Sequence, residues 1–189
     1  MKIKELFESH PDQLKSTLMD NCGPYLGEIG YAGALRLTPV YRGSDDIAWG
    51  QAYDAFRVVP VRQDRKPLTT SRYIHPLIDK WFVEKCGIPF RSCSMFVSGS
   101  DSMANEYGSS VSIAVPIGDY DYAWSPRYGD LYAAIYFKSN DPLLPDLVKN
   151  LMEKGNYRIN QDLRGAIASG HEIMIACKSA VLVNPTWAS

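Results

Sequence analysis

The spacing of hydrophobic positions predicts helices early, midway and late in the chain. Apolar residues recur three and four positions apart in 71–86 and 143–154, the spacing that lines one face of a helix. Residues 2–20 carry a sparser pattern of the same kind and predict one or two amphipathic helices on the outside of the protein. A shorter helix of one or two turns is expected at Met103, Ala104 and Tyr107, and either Ser100 or Asp101 can cap its start.

Short alternating runs between these segments predict β-strands. The run 34–41 predicts a first strand that stops in a turn at Arg42-Gly43. Further strands are expected at 56–61, 95–98, 111–117, 120–124, 172–176 and 179–183. Pro60 favours a sheet edge for the second strand, because proline cannot donate to a central ladder. The last two runs flank a turn and predict a hairpin, and 128–137 fits helix or strand. The order of elements favours an α+β protein over regularly alternating βαβ units.

Length and charge narrow the class of protein. The 189 residues fit one domain, with a helical segment at 1–30 and a core at 34–183. Lys and Arg total 20 against 21 Asp and Glu, a net charge of -1, which argues against a dedicated nucleic-acid binder and a polybasic membrane module. No apolar run approaches the ~18 residues that a membrane span needs, so no membrane partner is expected.

The usual sequence motifs for binding metals and nucleotides are absent from the sequence. The four cysteines form no C-x-x-C pair, and no two of the three histidines have helical metal-ligand spacing, so no metal is expected. Glycine-rich dinucleotide and P-loop motifs are absent. Without a secretory signal at residues 1–5, the expectation is a cytoplasmic protein with reduced thiols.

Three polar residues stand near the ends of predicted strands, where side chains converge on clefts. They are Arg42 on the first strand, Ser98 on a middle strand and Glu172 on the penultimate one. Their contexts are Tyr-Arg-Gly, Phe-Val-Ser-Gly-Ser and Gly-His-Glu-Ile-Met-Ile. This ordered set resembles the ADP-ribosyltransferase superfamily, which has an Arg, a Ser-Thr-Ser segment and a Glu in the same order. The likeness covers about residues 34–183.

The resemblance implies a fold and a chemistry. The implied fold is α+β, with two packed, mainly antiparallel sheets around an NAD cleft and flanking N-terminal and middle helices. The implied reaction breaks the bond between nicotinamide and ribose in NAD, which is a substrate here. Glu172 would stabilise the oxocarbenium-like transition state, Arg42 would hold the phosphates of NAD, and Ser98 would bind the nicotinamide ribose.

Further contacts with NAD follow from the same resemblance. Gly43 would offer its backbone to the nicotinamide amide, and Ser100 completes the Ser-x-Ser segment. Either Tyr107 or Tyr157 would stack on the nicotinamide ring. NAD would thus be bound as a substrate, and the resemblance implies no metal.

Two departures from the family pattern bear on the acceptor. Gly170 stands where arginine-modifying members carry a second Glu, and Gly99 replaces the central Thr. Arginine modification is therefore disfavoured. The acceptor is left open between another side chain of a host protein, a nucleic-acid base and water, and so is the oligomeric state. The same departures motivate an alternative, a degenerate binding module that inhibits a host protein or binds a nucleotide.

The general character of the sequence also resembles that of small bacteriophage proteins. The resemblance is carried by the stretches 64–70, 81–82 and 87–92, and by His75, which lies between the first two stretches. That likeness implies action in the host cytoplasm during host takeover, or, as a third alternative, a structural component packaged in the virion. Residues Arg62, Arg65 and Lys66 form the basic patch that would meet an anionic target.

Overall fold

The computed structural model describes residues 3–30, 38–45, 47, 49, 55–66, 71–135 and 141–187. In these ranges the chain is α+β, with seven α-helices, eight strands and a short 3-10 helix at Pro185–Trp187. The helices are α1 (Ile3–Asn21), α2 (Gly23–Ile29), α3 (Ile74–Cys86), α4 (Phe90–Cys93), α5 (Asp101–Asn105), α6 (Leu144–Gly155) and α7 (Leu163–Ser169). The strands are β1 (Tyr41–Ser44), β2 (Phe56–Pro60), β3 (Ser94–Ser98), β4 (Ser110–Pro116), β5 (Asp121–Trp124), β6 (Arg158–Ile159), β7 (Glu172–Ala176) and β8 (Ser179–Val183).

The eight strands form one antiparallel sheet with the order β2-β8-β4-β1-β3-β7-β5-β6. Strand β1 joins its two halves. It pairs with β4 at four positions but with β3 only through Tyr41 and Ser98. The sheet is therefore two well-paired halves of four strands, connected by a narrow joint.

The narrow joint allows the sheet to fold back on itself. Strands β7 and β8 follow each other in sequence but pair in different halves, so the predicted hairpin is wrong. In a flat sheet, four strand spacings would separate them by about 19 Å. The three Cα steps from Ala176 to Ser179 span at most about 11 Å. The halves must therefore turn toward each other, and this single folded sheet takes the place of the two separate sheets that were predicted.

A hydrophobic core fills the space enclosed by the two halves. It contains Met95 and Ile175 from one half and Val115 and Val181 from the other, all nearly inaccessible to solvent. Helices α1, α2 and α7 contribute further apolar residues to this core. A second core lies on the opposite face of β3 and β7, where α3 and α6 pack. The apolar stripe predicted in 71–86 supplies Ile78 and Phe82 to it.

Several predicted boundaries shift by a few residues. The first strand begins at Tyr41 and continues through Ser44, because β4 pairs with it to that point, so Arg42 and Gly43 lie within the strand and not beyond it. Residues 34–37 fall outside the described ranges. Strand β2 lies at a sheet edge, as Pro60 predicts. The ambiguous region 128–137 forms turns at 131–134, and 136–137 are not described.

Candidate functional site

Three adjacent strands bring two of the predicted residues into one row. Ser98 lies opposite Tyr41 on one side and opposite Glu172 on the other, so these three residues share a face of the sheet. Arg42 follows Tyr41, and strand alternation turns its side chain to the other face of β1. Its charge nevertheless acts on Arg65, which lies next to the row.

The Ser98 hydroxyl fixes the loop that leads into β7. It donates a hydrogen bond to the Gly170 carbonyl at 2.6 Å and accepts one from the Ser100 backbone N–H at 3.0 Å. The Ser100 hydroxyl caps α5 by accepting from Met103 N–H at 3.3 Å. Ser98 thus holds the backbone two residues before Glu172 in place.

Glu172 is a buried carboxylate, only 7% exposed. Nη1 of Arg91 donates to its Oε1 at 3.3 Å and to its Oε2 at 3.5 Å. Burial raises the pKa of Glu172 above its ordinary value. The attraction of Arg91 opposes that rise, and the like charge of Asp130 adds to it. The carboxyl is therefore held in an environment that disfavours its charge, which is typical of groups with a chemical role.

Arg91 is positioned by a second buried carboxylate. Its backbone N–H donates to Oδ1 of Asp79 at 2.8 Å, and the neighbouring Ser92 hydroxyl donates to Oδ2 at 2.5 Å. His75 lies on the same carboxylate at 3.4 Å, one helical turn before it in α3. Asp79 thus ties α3 to the short helix α4 and sets where the Arg91 side chain begins. These contacts place Arg91 at Glu172, although the two residues are 81 positions apart.

The loop before α6 closes the other side of Glu172. The Leu131 backbone N–H donates to the carboxylate, and the Asp130 carboxylate lies beside it. Tyr107, which is 41% exposed, shares a hydrogen bond with Asp130. Burial raises the pKa of Tyr107, with Glu172 as the next cause, so its phenol stays protonated next to the site.

The two tyrosines considered for nicotinamide stacking have different surroundings. Tyr107 is exposed next to Glu172. Tyr157 is an edge-to-face partner of Phe82, with 5.2 Å between ring centroids, and it also packs near Trp81 in the second core. Burial raises the pKa of Tyr157. Tyr107 is the one of the two that stands open to a ligand.

Two arginines lie against the ring of Phe96, next to the site. The Cζ atoms of Arg65 and Arg91 lie 4.6 and 4.5 Å from the centroid of this ring. Burial, together with the charges of Arg42, Arg91 and Arg62, lowers the pKa of Arg65 to about 10, and the carboxylate of Glu172 acts in the opposite direction. Arg65 and Arg91 thus bring two positively charged groups to one ring, in a protein whose net charge is -1.

The fold explains both departures from the family pattern. A Cβ atom at Gly99 would lie 1.8 Å from the Ile167 carbonyl oxygen, so α7 leaves no room for a threonine there. Gly170 ends α7 at φ +69°, the left-handed region that favours glycine, so a glutamate would be strained there. Gly43 is likewise in close contact, since its Cβ would lie 1.8 Å from the Ala104 carbonyl oxygen.

Other polar features lie away from this row. A cavity of about 260 Å³ is lined by Glu28 and five other residues near α2 and β5, and it contains none of the predicted site residues. In the described ranges, no three His, Cys, Asp or Glu side chains are grouped to hold a metal ion. Nor does any described helix have the length and apolar character to cross a bilayer.

Sequence reasoning missed Arg91, Asp79 and Asp130. Arg91 is a charged residue in a short segment that has an apolar segment on each side, and Asp79 lies in the middle of an apolar helical stripe. Both are signals of buried polar groups, but neither indicates a partner. Comparison with protein-family models, curated proteins and solved structures finds no match for this chain.

Proposed function

We propose that the protein is an NAD-dependent ADP-ribosyltransferase of α+β fold, with its NAD cleft at the row of Tyr41, Ser98 and Glu172. The observation that carries the proposal is this cross-strand row, in which a buried carboxylate lies opposite Ser98 on adjacent strands. The strand of Arg42 adjoins them. These are the three positions that the resemblance to the ADP-ribosyltransferase superfamily singles out.

In the proposed reaction, the bond between C1′ of the ribose and the nicotinamide nitrogen breaks. Its electron pair leaves with nicotinamide, which becomes neutral, and positive charge develops on the ribose. The Glu172 carboxylate accepts a hydrogen bond from a ribose hydroxyl and stabilises that charge. An ionised carboxylate has about four acceptor positions, and Arg91 and the Leu131 N–H engage only some of them.

Other residues bind NAD in this proposal. Arg42 is the residue assigned to the phosphates, and it would have to reach them from the other face of β1, because strand alternation turns its side chain away from the row of Tyr41, Ser98 and Glu172. Gly43 offers its backbone to the nicotinamide amide. Tyr107 is the stacking residue, because it is the exposed tyrosine beside Glu172. Ser98 acts by holding the Gly170 carbonyl, which sets the start of the Glu172 strand.

The acceptor takes the ribose as the nicotinamide leaves. A nucleophile forms the new bond to C1′ and loses a proton, or water does so in NAD hydrolysis. Position 170 provides no carboxylate to activate a guanidinium, so arginine is disfavoured as an acceptor. The acceptor classes are another side chain of a host protein, a nucleic-acid base and water.

Labelled NAD tests the proposal. Purified protein with host lysate is expected to release nicotinamide and transfer label, and Glu172→Gln is expected to lower turnover about 100- to 1000-fold. Its dissociation constant for NAD should change only a few-fold, because the role is in the transition state. Glu84→Gln is the matched control, since the Glu84 side chain is 60% exposed and forms a surface ion pair with Lys80. Equal activity of Glu172→Gln and the control contradicts the enzymatic role.

Binding without cleavage is the second candidate function. In the structure, Arg91 engages Glu172 and the Ser98 hydroxyl is used by two backbone groups. Such a site is consistent with a degenerate member of the fold that holds a nucleotide. Wild-type protein that binds NAD and releases no nicotinamide, with or without lysate, would favour this function.

A further inference from the structure

The cavity near α2 and β5 lies where three separate segments of the chain meet. Its volume is about 260 Å³, and its lining comes from α2, from the bend and strand of β5 and from the residue that follows β6. The lining residues are Pro24, Glu28, Asp119, Tyr120, Tyr122 and Asn160. None of them belongs to the proposed NAD site, so a ligand can bind here whether or not the protein cleaves NAD.

Two phenols fix the Glu28 carboxylate at this cavity. The Tyr120 hydroxyl donates to Oε2, and the Tyr122 hydroxyl donates to Oε1 at 2.8 Å. Burial, followed by the hydrogen bonds to Glu28, raises the pKa of both tyrosines, so both remain donors. An ionised carboxylate has about four acceptor positions. Each oxygen of Glu28 therefore keeps an acceptor position for a ligand.

Within the described ranges, the two carboxylates of the cavity, Glu28 and Asp119, form no ion pair. The nearby Arg164 directs its Nε to the backbone carbonyl of Glu28, at 3.2 Å, and Arg158 pairs with Asp162 at 2.8 Å. Glu28 and Asp119 are both exposed, so a cation can reach them from solvent.

Three tyrosine rings lie beside the Glu28 carboxylate. The rings of Tyr120 and Tyr122 are stacked with centroids 6.1 Å apart, and Tyr25 packs edge-on against Tyr120 at 5.7 Å. Tyr25 lies in α2, nearly one helical turn before Glu28. Its hydroxyl is fully buried and has no hydrogen-bond partner among the described residues. Buried polar groups are nearly always paired, so Tyr25 provides a donor behind the Tyr120 ring that the protein itself does not use.

We infer that this cavity binds the ammonium group of a small organic cation, with tetramethylammonium as the simplest probe of the class. Tyrosine rings attract such a cation through their π faces, and the fixed Glu28 carboxylate supplies the opposite charge, with Asp119 adding to it. A metal ion fits the cavity less well. Ca²⁺ and Mg²⁺ take about six oxygen ligands or more, and in the described part of the chain no three His, Cys, Asp or Glu side chains are grouped to hold one.

NMR titration of the backbone amides with tetramethylammonium chloride, compared with sodium chloride at equal ionic strength, tests the inference. Wild-type protein is expected to bind with a dissociation constant of about 1 mM, the affinity expected of an exposed cation–π site with a carboxylate. The amides of Tyr120, Tyr122 and Asn160 should shift. Glu28→Gln should weaken binding at least about 10-fold, because the fixed charge is lost. Glu84→Gln, at an exposed carboxylate of α3, is the matched control and should bind as the wild type does.

Two further positions keep the test decisive if Glu28→Gln does not fold. Asp119→Asn, at an exposed residue, should weaken binding about 2- to 5-fold. Tyr120→Phe keeps the ring and should retain binding within about 3-fold, whereas Tyr120→Leu should weaken it about 5-fold. Equal binding by the phenylalanine and leucine variants contradicts the role of the ring.

Other results of the titration overturn the inference. These are shifts no larger than those that sodium produces, shifts confined to residues outside the cavity, and equal binding by Glu28→Gln and Glu84→Gln. Calcium ions that displace tetramethylammonium at a lower concentration than its own dissociation constant overturn the assignment of an organic cation. A lysine-containing peptide that binds at the same amides more than 10-fold more tightly than tetramethylammonium overturns the assignment of a small ligand.

Discussion

Two buried carboxylates lie on either side of Arg91, and their environments are opposite. Asp79 accepts hydrogen bonds from the Arg91 backbone N–H and the Ser92 hydroxyl, with His75 alongside. Although burial acts to raise it, these contacts lower the pKa of Asp79. Glu172 faces the Arg91 side chain at longer distances, and burial raises its pKa. One carboxylate is stabilised in its charged form by the fold and the other is not.

The difference separates a structural group from a candidate functional one. A carboxylate whose hydrogen bonds are all made within the protein contributes to stability and has little left to offer a ligand. Glu172 accepts from the Arg91 side chain and the Leu131 N–H, but it also lies beside the like charge of Asp130, and its pKa is raised mainly by burial. Perturbed groups of this kind concentrate at functional sites. The comparison therefore predicts that substitutions of Asp79 act mainly on stability, while those of Glu172 act mainly on chemistry.

The largest expected effect on stability comes from Asp79→Asn. The amide keeps one acceptor oxygen but points an NH₂ group at a buried donor, so we expect a loss of about 1–3 kcal/mol in the free energy of unfolding. Urea denaturation measures it. Glu84→Gln, at an exposed surface pair with Lys80, should change stability by less than about 1 kcal/mol. Equal effects of the two substitutions would contradict the structural role of Asp79.

Local sequence patterns predicted the helices, caps and strands whose formation depends on residues close together in the sequence. The α3 stripe follows from helical periodicity, and Gly87 ends that helix with a left-handed φ of +79°. Ser100, one of the two residues predicted to cap α5, is its cap, and Pro60 lies in an edge strand. Each of these depends on interactions within a few residues, which the sequence displays directly.

Such local patterns did not predict which strands pair when the strands are far apart in the sequence. The runs of β7 and β8 alternate as hairpin strands would, but alternation does not specify a partner, and each pairs in a different half of the sheet. Arg91 and Glu172 are joined only by the folded chain. Within the candidate site, the sequence pattern singled out Ser98 and Glu172, whereas the charged neighbours of Glu172 come from distant segments.

The pH dependence of stability should have opposite signs for the two carboxylates. The folded-state pKa of Asp79 lies below its ordinary 3.8, so its stabilisation is present above that pH and is lost as pH falls through the folded pKa. The folded-state pKa of Glu172 lies above its ordinary 4.5, so its contribution is full below that pH and is lost as pH rises through the folded pKa.

Urea denaturation between pH 3 and 7 separates these contributions. The deficit of Asp79→Asn relative to wild type should shrink as pH falls below about 3.8. The stability of Glu172→Gln relative to wild type should improve as pH rises above about 4.5. Parallel curves for the two variants would show that the two environments do not differ as described.

The smallest effect we expect is a shift in one pKa, and it separates the two carboxylates within a single variant. Arg91→Gln removes the charge that holds down the pKa of Glu172, so that pKa should rise further. Asp79 interacts with the backbone N–H of residue 91, which the substitution retains, so its pKa should stay low. Carbon-detected NMR titration of the side-chain carboxyls measures both groups in one sample. Arg158→Gln, which removes the surface pair with Asp162 and the stacking of Arg158 on Trp124, is the control and should move neither pKa. A rise at Asp79, or none at Glu172, would mean that Arg91 does not divide the two environments in the way that its contacts indicate.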